Sequence, residues 1–435
     1  MKEQNSIPTS KVERSAKFVT TGIKVGGNYI KHYSKKLFNP AQTRDELNEN
    51  NATDIYNSLS ELKGSALKIA QMLSMDKGIL PKAYADKFSL SQYNAPPLSG
   101  PLIVKTFSNY FGKTPFELFD KFEIKSTNAA SIGQVHRAEL NGKKLAIKIQ
   151  YPGVGDSISS DLKLVKPFAF RLLGMSEKEL DIYMKEVEQK MLEETDYELE
   201  VKRSIEFSEA CKPVQNLVFP EYFPKLSGKR IITMSWLEGL HLKEFLATNP
   251  SQKLRNKIGQ ALWDFYHFQM HELRAVHADP HPGNFMITPD EQLAVIDFGC
   301  IKEIPEDFYE PYFALTNTDV LKDKTETIKL FRELGMILPN DSEQQINFYH
   351  KNYKEMIELF SRPYSEQVFD FAGENYINNL FAYGEQVANT PEFKQARGVK
   401  HFIYINRTNF GLYNLLHDLG AVINTQSYTS HPLTA

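Results

Sequence analysis

Asp279 precedes Asn284 by five residues, and Asn284 precedes the triplet Asp297-Phe298-Gly299 by thirteen, all within HADPHPGNFMITPDEQLAVIDFG. A carboxylate and a carboxamide on one tight loop, followed by a second carboxylate, are oxygen donors suited to Mg2+. That ion takes one or two protein ligands and completes its shell with phosphates and water. The expectation is a fold that holds Asp279 beside a reacting group while Asn284 and Asp297 ligate the metal of a bound triphosphate. A lone DFG triplet would mean little. The ordered set is specific.

Composition leaves room for this reading and closes others. At 435 residues, 41% hydrophobic and 24% charged, the chain suits a two-lobed globular protein or more than one domain. No apolar run approaches bilayer length, and the N-terminus lacks a signal-peptide core. Cys211 and Cys300 offer no disulfide framework and suit a reducing compartment, so a cytoplasmic location is expected. Charge is uneven, with a net +6 on residues 1–40 and −9 on the remainder. A basic head of this kind suits an acidic partner, an anionic membrane surface or the chain's own acidic body. No base-reading motif accompanies it, so nucleic acid is not an expected partner.

Within that head Val19, Ile23, Gly26, Ile30, Tyr33 and Leu37 recur at steps of four and three. The spacing predicts an apolar stripe on a helix, with Lys17, Lys24, Lys31 and Lys35 opposite. Two readings stay open. The helix lies peripherally on the inner face of a membrane, or it packs its stripe on the protein body with the lysines solvated. Residues 41–52 are polar and read as a loop, helical signals return from Ala52 to about Leu90, and SQYNAPPLSGP (91–101) breaks them. A helical piece, PLIVKTFSNYF, and a strand over 122–126 follow. Gln134–Leu140 and Lys143–Gln150 flank Asn141-Gly142, which predicts a hairpin closed by a type I′ turn. Helix is expected over 177–210, strand over 230–236, and mostly helix beyond, interrupted by a hairpin around Thr288-Pro289-Asp290. The expected division is a head (1–50), a helical extension (51–105), a mixed lobe (106–236) and a mostly helical lobe (237–435).

Lys148 ends Leu-Ala-Ile-Lys in the second hairpin strand, close to the Val-Ala-Ile-Lys by which protein kinases set a lysine on the α- and β-phosphates. Ala146, on the same face, leaves room for a flat adenine. Alone, such a lysine is usually just the solvent side of an amphipathic strand. Upstream, Asn128-Ala129-Ala130-Ser131-Ile132-Gly133 stands where a kinase carries its glycine-rich loop. Alanine and serine amides can still face phosphate oxygens, but their Cβ atoms stiffen the lid. The expected nucleotide-binding set is therefore Ala129, Ala130, Ser131, Ile132, Gly133, Ala146 and Lys148, with Met234 and Trp236 of the strand RIITMSW.

Glu200 is the expected ion-pair partner of Lys148, with Asp196 one turn away on the same helical face and Glu194 elsewhere. Asp279 is the acid–base candidate. His281, two residues later, is expected near the γ-phosphate, while His277 braces the loop. A rival reading takes His277, Asp279 and His281 as a hydrolase metal cluster, but it leaves Lys148, Asn284 and the triplet unexplained. Only a few residues separate Gly299 from the helix expected near Pro305, with no Ala-Pro-Glu. That leaves little room to grip an extended protein substrate, so a small molecule, a lipid or simple ATP hydrolysis fits better.

Taken together, LKIAQMLS (67–74), NAPP (94–97), Ala129–His136, AIKIQYPGV (146–154), ETDYELE (194–200), HADPHPGN and DFG resemble the UbiB/AarF-type atypical kinase-like family over roughly 54–304. The resemblance implies an α+β, protein-kinase-like two-lobed fold with an added helical N-terminal extension. It implies ATP and Mg2+ as cofactors, and an ATPase or a kinase of small molecules or lipids that supports isoprenoid-quinone or lipid metabolism. The alternative it leaves is a nucleotide-sensing pseudokinase that regulates a lipid-biosynthesis complex. It further implies that Lys68 and Gln71 gate the pocket, anchored by Glu194 and Asp196, with Lys68 and Glu194 as an ion pair. Two departures stand out: Ala70 replaces the glycine of the family's Lys-x-Gly-Gln, and Asn128 replaces a third alanine.

Overall fold

The computed structural model describes residues 11–38, 45–62, 68–69, 87, 98–129, 132–173, 177–394 and 397–426. The chain divides into two units, one of Met1–Lys202 with Glu221–Trp236, the other of Arg203–Pro220 with Leu237–Ala435. Among the described residues no helix is long and apolar enough to cross a membrane.

The first unit opens with α1 (Lys11–Phe38) and α2 (Asp45–Leu62). The loop expected over 41–52 is thus helical from Asp45 onward. Its polar composition conceals a thin buried stripe of Leu47, Asn51, Ala52, Ile55 and Leu59. α1 is the expected helix, but it packs with an unexpected face. Thr21 donates to Ser58 at 2.6 Å, and Asn28 donates to Asn51 at 3.0 Å and Asp54 at 2.8 Å. Val25 is partly buried and His32 buried, and the steps from 21 through 25 and 28 to 32 trace one helical face. Val19 and Ile23 of the expected apolar stripe are 64% and 71% exposed, so at these positions the stripe does not pack on the body. The side chains of Ile30, Tyr33 and Leu37 lie outside the described residues.

After α3 (Gly100–Phe111) comes an antiparallel sheet of β1 (Lys121–Phe122), β2 (Asn128–Ala129), β3 (Gly133–Leu140) and β4 (Lys143–Gln150). The chain passes through β5 (Leu217–Val218) of the other unit and returns as β6 (Ile231–Ser235), giving the order β1-β3-β4-β6 with β2 also on β3. The strand expected over 122–126 shrinks to β1, and Ile124 stays 40% exposed. Asn141 and Gly142 take φ of 51° and 75°, the two left-handed positions of the expected type I′ turn. β4 buries Leu145, Ile147 and Ile149 in a core shared with Ile103 and Phe107 of α3, each full burial stabilising by about 2 kcal/mol. Alternation then turns Ala146, Lys148 and Gln150 to the opposite face.

α4 (Val154–Leu173) is not anticipated by pattern, since Gly155 and Pro167 interrupt it. Its Ile158, Leu162, Val165 and Ala169 cluster with Leu180, Met184, Val187 and Met191 of α5 (Glu177–Thr195), two stripes of matching spacing. The helix expected over 177–210 breaks at Asp196. There the carboxylate accepts the Leu199 N–H at 3.0 Å and caps α6 (Tyr197–Ala210).

The second unit adds β7 (Leu240–His241), β8 (Ala275–His277), β9 (Phe285–Ile287), β10 (Leu293–Val295) and β11 (Ile301–Glu303). One sheet runs β5-β10-β9-β7, while β8 and β11 pair antiparallel. Strands of two or three residues leave no period-two signal. Only the β9–β10 hairpin, turning at Glu291 with φ 59°, matches a sequence expectation. Around these strands stand α7 (Leu242–Ala247), α8 (Gln252–Phe268), α9 (Glu306–Ala314), α10 (Lys324–Glu333), α11 (Glu343–Phe360), α12 (Tyr376–Asn389) and α13 (His401–Leu419). Trp263, Phe265, Tyr266, Phe331 and Tyr413 lie fully buried in their shared core.

Between α10 and α11, Asp341 takes both terminal nitrogens of Arg397, at 2.6 and 2.8 Å, with both side chains buried. The guanidinium holds the Asp341 carboxyl below its usual range. The pair therefore stabilises the fold at neutral pH and loses that contribution as pH falls through the depressed value. Asp341→Ala is expected to lower stability by about 3 kcal/mol at pH 7. In urea unfolding over a pH series, the gap to the unchanged protein begins to close below about pH 4.

Candidate functional site

In the first unit Lys148 sits mid-strand on β4, opposite Val135 of β3 and Ile232 of β6. Its Nζ lies 2.6 Å from Glu200 Oε1, and the two side chains are 14% and 5% exposed. Tyr197, one helical turn before Glu200, offers its ring face to the same ammonium at 5.2 Å. This ring can approach because β3 carries glycine at 133. A Cβ there would stand 2.8 Å from the Tyr197 hydroxyl and 2.7 Å from the Ile149 carbonyl oxygen. A second buried pair forms at the end of α5, where Lys68 Nζ meets Glu194 Oε2 at 2.9 Å with exposures of 16% and 11%. Asp196 is exposed and serves as the α6 cap rather than joining that pair.

The remaining residues of the expected nucleotide set are placed as follows. Ala146 and Met234 are cross-strand neighbours and both buried. The Trp236 N–H donates to the Lys144 carbonyl, and its ring lies under the Arg137 guanidinium at 4.3 Å. Ile132 is buried and its carbonyl accepts from Tyr151 N–H at 2.9 Å. Ala129 ends β2 opposite Gln134. Ala130, Ser131 and Gln71 lie outside the described residues.

In the second unit the loop after β8 is fastened at both ends. His277 pairs with Ile301 across β8–β11, and Ala278 N–H donates to the Cys300 carbonyl at 2.9 Å. Inside it, Asn284 Nδ2 donates to the Asp279 carbonyl at 2.9 Å and to its carboxylate at 3.3 Å. His281 Nδ1 accepts from Gly283 N–H at 3.0 Å. Asn284 leads into β9 and Asp297 follows β10. Because Phe285 pairs with Val295, and Ile296 N–H donates to the Asn284 carbonyl at 3.1 Å, the hairpin brings the two expected metal ligands to the same end. Asp297 Oδ1 accepts from Gly299 N–H at 2.8 Å. Phe298 is fully buried beside Phe207, Phe219 and His277.

His277 is also fully buried, its Nδ1 is 3.3 Å from the Tyr266 hydroxyl, and its backbone N–H donates to Gln269 Oε1 at 2.8 Å. Burial pushes its imidazole below the ordinary range, keeping it neutral. Asp279 turns instead to Arg407 of α13, whose Nη2 is 2.9 Å from its carboxylate. The cluster alternative thus does not assemble, and among the described residues no three His, Cys, Asp or Glu are placed to hold a metal.

Arg407 was not foreseen, being 128 residues from Asp279. The available signal is a lone arginine inside the otherwise uncharged run HFIYINRTNFGLYNLL (401–416). Gly411, one turn further on, lets α13 approach the same loop. A Cβ there would fall 2.1 Å from Pro280 Cγ.

A sheet bearing a buried lysine–glutamate pair, joined in one chain to a helical unit with these Asp–Asn and DFG loops, defines a kinase-like fold. The family model described as the ABC1 atypical kinase-like domain matches residues 90–331, and the chain belongs to this family. It is similar to Atypical kinase COQ8, mitochondrial, of Saccharomyces cerevisiae, with 29% identity over 87% of this chain and 76% of the relative. Probable serine/threonine-protein kinase abkA of Dictyostelium discoideum is 25% identical over 83% of this chain and 68% of its own length. Atypical kinase COQ8B, mitochondrial, of Danio rerio is 26% identical, and the match spans 61% of that relative. Among solved structures, Rv3197 of Mycobacterium tuberculosis, determined in complex with erythromycin, aligns with a TM-score of 0.60 and 24% identity, covering 89% of this chain and 97% of that one.

Removing one partner of a buried ion pair strands the other charge, while replacing both by apolar groups does not. Glu200→Ala is therefore expected to cost about 3 kcal/mol of stability. The double variant Lys148→Met/Glu200→Leu should recover most of that loss in equilibrium unfolding.

Proposed function

We propose that the chain is an ATP- and Mg2+-dependent atypical kinase or ATPase that supports isoprenoid-quinone or lipid metabolism, acting on a small molecule or lipid or hydrolysing ATP rather than phosphorylating proteins. The observation that carries it is the arrangement of Asn284. Its Nδ2 is spent on Asp279, while its Oδ1 has no hydrogen-bond partner among the described residues and is left as a donor for a cation near Asp297. When bound, Mg-ATP supplies the transferable phosphoryl group and the charge that neutralises it. Lys148, held in place by Glu200 and Tyr197, would bind phosphate oxygens, and Asp279 would orient the acceptor. β11 and α9 take up the chain from Ile301 and Glu306, which leaves no long segment after Gly299 to grip a peptide. The link to quinones rests on family membership, as does the kinase class of the named relatives.

A thermal-shift titration should show ATP stabilisation that requires Mg2+ and is lost in Asp297→Asn. Steady hydrolysis lost in Asp279→Asn, with nucleotide binding retained, supports catalysis. Tight binding with no turnover in the unchanged protein would favour the nucleotide-sensing alternative.

One observation also favours the membrane reading of the head: Val19 and Ile23 lie exposed on α1 while its polar face is engaged by α2. Apolar residues beside lysines suit an anionic bilayer surface. Flotation with anionic vesicles should show salt-sensitive binding that falls at least about tenfold in Val19→Ser/Ile23→Ser, a loss of roughly 1.4 kcal/mol. Undiminished binding by that variant would rule the assignment out.

A further inference from the structure

α9, α11, α12 and α13 of the second unit leave a cavity of about 180 Å³. Its wall is made largely of Leu315, Met336, Met356, Leu380, Val387 and Phe410. An apolar cavity of ~150 Å³ already holds benzene, so this one has room for a short hydrocarbon. The hydroxyls along the wall are all spent on protein acceptors. Thr316 donates to the Phe313 carbonyl at 2.7 Å, Ser361 to Ile357 at 2.7 Å, Tyr383 to Asn352 at 2.6 Å, and Tyr312 to Asn406 Oδ1 at 2.9 Å. A charged ligand would find no counter-charge here and would lose its hydration. One polar group is left over: Asn406 lines the cavity, and its Nδ2 makes no hydrogen bond among the described residues.

We infer that this cavity binds the hydrocarbon body of an uncharged amphiphile, whose single acceptor oxygen is met by the Asn406 carboxamide. The site is separate from the Asp279 loop, yet the residue after Asn406 is the arginine that holds Asp279. Apolar packing supplies the affinity and one hydrogen bond sets the orientation, the usual division in a small-molecule site. Met336 and Met356 give the wall adaptable side chains that suit flexible ligands. The inference stands on the cavity and not on the nucleotide reading, so either can fail without the other.

Gly384 supplies the test. It lies exposed at the cavity's edge, and a Cβ there has no atom within 4 Å, so the backbone accepts a side chain at this lining position and Gly384→Leu adds apolar bulk beside the space. Isothermal titration of the full chain with 1-octanol should show saturable one-to-one binding, at least about tenfold weaker for octylammonium. Binding should vanish in Gly384→Leu, whose melting temperature holds or rises by about 2–4 °C because leucine replaces a helical glycine. Should that variant melt lower instead, Val387→Phe fills the same space and is held to the same loss of binding. Equal 1-octanol binding in the filled variant, equal binding of octylammonium, or no saturable binding in the unchanged protein overturns the inference.

Discussion

An ammonium and a carboxylate removed from water at 2.6 Å, 52 residues apart in the chain, form the contact on which the first unit's architecture turns. Bringing them together requires the β3–β4 hairpin to hold its register, and α6 to begin where Asp196 caps it. Position 133 must also stay without a side chain, so that Tyr197 can reach the sheet. Buried charges of this kind add little net stability, because desolvation offsets most of the attraction. A fold that meets three separate local requirements to keep one is organised around where that lysine must stand.

The second unit solves a related problem with shorter parts. Its loop after β8 has almost no regular structure of its own, yet Asp279 is gripped from two directions, by the Asn284 carboxamide and by Arg407. Two-residue and three-residue strands suffice because the β9–β10 hairpin has only to bring the segments bearing Asn284 and Asp297 to one end. Fixing donors before any ligand arrives reduces the reorganisation that binding would otherwise require.

How much of this was legible in the sequence depended on how local the determinant was. Asn141-Gly142 announced its turn because both residues tolerate left-handed backbone, and the strands on either side alternate cleanly. The Lys148–Glu200 and Lys68–Glu194 contacts followed from chain order and family motifs rather than from any spacing. The first turns of α2 were missed because Asn51 sits inside its buried stripe, and α4 because Gly155 and Pro167 break its rhythm. The head helix was foreseen but not its packing face, since hydrogen bonds through Thr21 and Asn28 leave no trace in a hydrophobic pattern. Arg407 could be singled out as the lone charge in its run, but its partner could not, as tertiary pairing across 128 residues has no periodicity.

Gly411 closes the account of α13 from another side. With a bare hydrogen there, helix and Pro280 sit in direct apposition. Even the smallest chiral residue would have to lever the segment bearing Asp279 away from its arginine clasp. The position therefore works as a mutational tripwire: a change of one methyl group, remote from any reacting atom in the primary structure, is transmitted to it mechanically.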